Sequence, residues 1–140
     1  MQKCYNLLYT GGFMTIYQQS EAHNIIKLFL IKIGMKCSLN GFAYICYAAD
    51  LVTKNPNLIY DLCNNVYVQT AKYFEIENSN CIERSIRHAI DHLANTNGFA
   101  LINKIFKTNL YSKHDKPTSG EFIKLCAQYY NLQMYEDLAL

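Results

Sequence analysis

An all-α fold containing a helix-turn-helix is what this sequence predicts, on three observations. Ile82, Ile86, Ala89, Ile90 and Leu93 recur at helical spacing, while Arg84, Arg87, His88 and Asp91 project to the other side of the same helix. Before that stretch, Val68–Phe74 reads as a short helix, and the polar residues from Glu75 to Ser79 make a brief connection. Elsewhere, apolar periodicity of the helical kind recurs between glycine and proline breaks along the chain.

In chain order the helical segments fall near 21–33, 42–53, 57–66, 68–74, 80–96, 99–107 and 119–132. Gly34, Gly41, Asn55-Pro56 and Gly98 punctuate them. Ala71 is small enough for a second helix to cross closely, as a helix-turn-helix requires. Ser79 or Asn80 can cap the following helix, and Asn80 with Glu83 has capping-box spacing. Asn95-Thr96-Asn97-Gly98 then ends the periodic run, with the glycine expected just past the last turn. Residues 107–117 are polar, with three lysines and His114, and read as a surface loop or a small hairpin. Thr118 and Glu121 form a second capping box, ahead of an apolar face made by Phe122, Ile123, Leu125, Cys126, Tyr129 and Leu132. The start of the chain is different. Two β-prone runs within residues 6–17 flank Gly11-Gly12, which fits a hairpin, while a disordered or partly helical lead fits equally well.

The composition narrows the function. At 140 residues, 51% hydrophobic and 17% charged, the chain can bury one core. No apolar run approaches the roughly 20 residues of a membrane helix, and no secretory leader is evident, so a cytoplasmic location without membrane association is expected. The six cysteines lack C-x-x-C spacing and read as free thiols of a reducing compartment. Cys81, at a helix start near Arg84, is the one whose surroundings could lower a thiol pKa. His88 and His92 are four residues apart, but no third metal ligand accompanies them. No phosphate-cradling loop or activated nucleophile is found either, so neither enzyme activity, cofactor nor small-molecule substrate is expected.

The net charge of +2 is modest but uneven. Residues 79–116 carry six Lys or Arg against three acids, whereas 117–140 carry one against three. Positive charge thus gathers around the Arg84–Arg87 helix, as docking on phosphates requires. Arginine can also form paired hydrogen bonds to O6 and N7 of guanine in the major groove. By itself, however, a solvated helix face explains the charge pattern equally well.

The run IERSIRHAID (Ile82 to Asp91), then INKIF (Ile102 to Phe106), then KPTSGEF (Lys116 to Phe122) closely resembles the family of C-terminal effector domains of the stage-zero sporulation response regulator, the master transcription factor of endospore formation. The resemblance extends from about Ile25 to Leu132. It implies a compact bundle of about six helices, unrelated to winged-helix folds, that binds double-stranded DNA through a helix-turn-helix. It also implies base-reading roles for Glu83, Arg84 and Arg87, and backbone contacts from His88 and Lys116; Asn80 and Lys113 are added to the backbone set. Residues 1–22 would then be an N-terminal extension, 23–135 the effector domain and 136–140 a tail.

The sequence departs from the family at several points. Cys81 stands where the family usually has a basic residue. The loop Ile33–Gly41 has Ser38 and Asn40 in place of a histidine and a lysine, and Lys36 could replace one of those charges. The turn from Phe74 to Glu83 is one residue longer. A receiver domain does not fit before Ile25, so activity independent of phosphorylation is expected. Two function classes follow. Retained Arg84 and Arg87 favour a sequence-specific DNA-binding regulator that pairs as a homodimer on tandem sites, through Tyr129, Tyr130, Leu132 and Met134. The altered loop favours an interaction module or antagonist that pairs with a full-length relative.

Overall fold

The computed structural model describes residues 20–139, which hold six α-helices and no strand. These are α1 (Glu21–Lys32), α2 (Asn40–Lys54), α3 (Tyr67–Tyr73), α4 (Asn80–Leu93), α5 (Gly98–Phe106) and α6 (Ser119–Ala139). The hairpin expected over 6–17 lies outside the described residues.

Helix α1 starts at Ser20, whose Oγ accepts from the His23 amide at 3.0 Å and donates to Asp50 Oδ1 at 2.8 Å. One side chain therefore both caps α1 and ties it to α2. The helix ends at Gly34, with φ 93, where the Gly34 amide donates to the Ile31 carbonyl and the Met35 amide to the Leu30 carbonyl. That pairing is the Schellman termination, and it turns Met35 back into the core.

Helix α2 is central, packed against α1, α4 and α6. Phe42, Ile45, Cys46, Ala48, Ala49 and Val52 are all buried, so this helix is apolar around most of its circumference. The segment expected as one helix over 57–66 is instead two irregular turns, a 3₁₀ turn at Pro56–Tyr60 and a π turn at Leu62–Val66 that runs into α3. Asp61, at φ −141 and ψ 50, breaks the two apart. Val66 is the one fully buried residue of these turns, too little to hold a regular helix in place.

The turn between α3 and α4 is closed by the same Schellman device, here without glycine. The Glu75 amide donates to Lys72 and the Ile76 amide to Ala71, with Glu75 left-handed at φ 58. A side chain in that region is strained by about 1–2 kcal/mol. Glu75→Gly should therefore raise stability by about 1 kcal/mol in urea unfolding, whereas no gain would mean that the turn is relaxed in solution.

All five apolar residues expected to face inward from α4 are buried: Ile82, Ile86, Ala89, Ile90 and Leu93. The ends of α4 differ from the sequence reading. Neither Ser79 nor Asn80 caps it through a side chain; Asn78 Oδ1 accepts from the Asn80 amide at 2.9 Å. At the other end α4 stops at Leu93, followed by a succession of tight turns through Thr96. Gly98 opens α5 rather than closing α4. Its role is close approach, since a Cβ there would lie 2.9 Å from the Ile33 carbonyl oxygen and 2.7 Å from Leu93 Cδ2.

Lys107, left-handed at φ 53, terminates α5. The segment after it is a loop held by the Asn103 carboxamide, which donates to the Tyr111 carbonyl at 2.7 Å and accepts from the Tyr111 amide at 3.2 Å. The capping box forms as expected: the Glu121 amide donates to Thr118 Oγ1 at 3.1 Å and the Thr118 amide to Glu121 Oε1 at 2.9 Å. Phe122, Ile123, Leu125 and Cys126 of α6 are buried, and the helix continues beyond the expected Leu132 to Ala139.

Candidate nucleic-acid interface

Burying one side of α4 leaves a defined exposed side. Asn80, Arg84, Arg87, His88 and Asp91 are all exposed along it. Four of the seven candidate residues therefore lie on one helix surface, and Glu83 sits at its edge, half-buried. Lys116 joins this surface from the loop before α6, its Nζ donating to Asp91 Oδ1 at 3.1 Å. Lys113 is exposed in the same loop.

Two shallow clefts flank α4, and Arg84 lines both. One, of about 400 Å³, runs between α4 and the start of α2 and is lined by Ser38, Leu39, Asn40, Arg84, Ser85 and His88. Ser38, of the loop before α2, and Asn40, the first residue of α2, therefore adjoin the arginine face. The second, of about 290 Å³, lies toward α3 and is lined by Cys63, Tyr67, Asn80, Glu83, Arg84 and Arg87.

Glu83 is engaged on both oxygens. Oε1 accepts from Arg87 Nη2 at 2.6 Å, and Oε2 accepts from the Ser119 hydroxyl at 2.8 Å. Tyr67 is buried nearby; burial first, then the negative charge of Glu83, pushes its hydroxyl pKa up to about 12. It stays protonated at any physiological pH. Ser119 and Tyr67 were not legible as site residues, because nothing in the sequence signals a contact 36 residues away.

The His88 and His92 rings meet edge to face at 4.8 Å. No cluster of three or more His, Cys, Asp or Glu suited to a metal ion occurs among the described residues. The described cysteines are free thiols. Burial pushes Cys46 up to about 12 and raises Cys126 well above the usual thiol range, which makes both inert as nucleophiles. Cys81 is half-buried. No helix among the described residues is long and apolar enough to cross a membrane.

An all-helical bundle that buries one side of α4 and presents arginines on the other, with α3 and a tight turn ahead of it, is compatible with the helix-turn-helix class of transcription regulators. The family model described as "Sporulation initiation factor Spo0A C terminal" matches residues 25–130. The chain belongs to that family, whose members are DNA-binding effector domains of a sporulation response regulator rather than enzymes.

Proposed function

We propose that this chain binds double-stranded DNA sequence-specifically and regulates transcription, residues 23–135 forming the binding unit. Helix α4 enters the major groove, Arg84 and Arg87 read bases by paired hydrogen bonds, and Glu83 discriminates or orients them. Asn80, His88, Lys113 and Lys116 contact the sugar-phosphate backbone. The observation that carries this reading is the exposure of both arginines on a helix whose opposite side is wholly buried, so that the helix is fixed while its polar side is available. A gel-shift comparison of a sporulation-type operator with a scrambled duplex, at stated salt, tests it. Equal affinity for the two would reject sequence-specific reading.

Lys116 supplies a second test. Its surface ion pair with Asp91 contributes at most about 1 kcal/mol to folding, so removal leaves the fold intact. Lys116→Ala should weaken every duplex about equally and lower the salt dependence by about one unit, as loss of one phosphate contact does. An unchanged salt slope would place this lysine away from DNA.

Pairing on tandem sites belongs to the same proposal, with one change to the surface expected from sequence. Tyr129 is stacked on Phe29 at 4.4 Å and so belongs to the intramolecular packing. The available apolar groove is instead lined by Phe106, Leu132 and Tyr135, beside Gln128 and Asn131. Two copies on adjacent sites would meet there at high local concentration.

A further inference from the structure

We infer that Ser119 positions the Arg87 guanidinium for base reading, acting through Glu83; the inference rests on the DNA-binding reading above and adds a residue to it. Ser119 is the first residue of α6 and is buried. Its hydroxyl donates to Glu83 Oε2 at 2.8 Å, and the other oxygen of that carboxylate receives Arg87 Nη2 at 2.6 Å. The relay joins two elements, α6 and α4, across 36 residues of chain. Ser119 lies inside the Thr118–Glu121 capping box, two residues after the buried Pro117.

Two consequences follow from donor and acceptor counts. A carboxylate has about four acceptor sites, and one protein donor on each oxygen fixes the orientation of Glu83 while leaving fewer sites for a cytosine amine. A guanidinium offers five donors in a planar fork; Glu83 takes one and leaves the rest of the fork for guanine O6 and N7. Restraining this flexible side chain before binding removes ordering that DNA would otherwise have to impose. Arg84 provides the internal contrast. No hydrogen bond or ion pair holds it among the described residues, although it is exposed on the same helix surface.

The test compares the unmutated chain, Ser119→Ala and Ser119→Thr on the operator and on duplexes altered at one base pair at a time. The base pair read by Arg87 is the one at which preference disappears in Arg87→Ala. Ser119→Ala should lower preference at that pair about five- to tenfold, a fraction of a full paired contact, and leave the Arg84 pair and scrambled DNA unaffected. Ser119→Thr keeps the hydroxyl and should restore the preference. A readout without DNA accompanies these: the Arg87 Nε–H resonance should be ordered in the unmutated chain and Ser119→Thr, and averaged in Ser119→Ala. Undiminished preference, or an Arg87 resonance indifferent to Ser119→Ala, overturns the inference. If the unmutated chain does not discriminate between duplexes, the DNA reading fails and the resonance alone decides the relay. Should Ser119→Ala melt far below the parent, Ser119→Cys carries the same comparison, because it keeps the side chain's shape and replaces the hydroxyl with a weak donor.

Discussion

Gly41→Ala is expected to destabilise the domain by about 3 kcal/mol, the upper range for forcing an extra methyl into a closed contact. A Cβ at this position would lie 2.3 Å from the Ser85 carbonyl oxygen and 2.8 Å from Ala89 Cβ. The first neighbour is backbone within α4 and cannot rotate aside. Relief by fraying the start of α2 is blocked as well, because the Phe42 amide donates to the Leu39 carbonyl and the Phe42 side chain is buried. The two helices would have to separate, loosening Ile45, Ile86 and Ala89 together, and widening the cleft that Ser38, Asn40, Arg84 and His88 line. Urea unfolding should show a midpoint shift of that size with an unchanged slope. A loss below about 0.5 kcal/mol, the level of a neutral surface change, would mean that α2 and α4 do not approach this closely.

Gly41 also shows where sequence reading stops. As a residue type it signals a break between helices; its function here is to let α2 cross the backbone of α4, 44 positions on at Ser85, a relation that no local pattern encodes. Gly98 likewise signals a helix end by residue type but serves close approach to Ile33 and Leu93 at the start of α5. What was legible was local. The inward stripe of α4 follows from its 3.6-residue period, and the Thr118–Glu121 box from two side chains three apart. The turns at Pro56–Val66 were not legible, because their partly buried Leu58, Ile59 and Leu62 resemble a helical stripe until the Asp61 backbone is seen. At the candidate site, periodicity placed Arg84, Arg87 and His88 on one surface, and the family resemblance alone supplied their roles. Ser119 and the Lys116–Asp91 pair required the fold, since each joins elements far apart in the chain.

Removing either arginine of α4 should abolish discrimination at the base pair which that arginine reads, and so lower preference for the operator sharply, while the helical circular dichroism stays the same. Each paired guanine contact is worth about 1–3 kcal/mol of discrimination. Folding is insensitive because both side chains are exposed, and the Arg87–Glu83 pair, four residues apart on a helix surface, contributes about 0.5 kcal/mol or less. The two variants should nevertheless differ on scrambled DNA. Arg84→Ala removes one positive charge and leaves the Arg87–Glu83 pair intact. Arg87→Ala removes a positive charge and also leaves the Glu83 carboxylate unneutralised at the edge of the same surface, where it repels phosphates. Scrambled duplexes should therefore bind Arg87→Ala more weakly than Arg84→Ala, with the gap closing as salt is raised. Glu83→Gln in the Arg87→Ala background should close it at low salt too. If the gap persists at high salt or survives that second substitution, the carboxylate does not face the DNA and α4 does not dock by this surface.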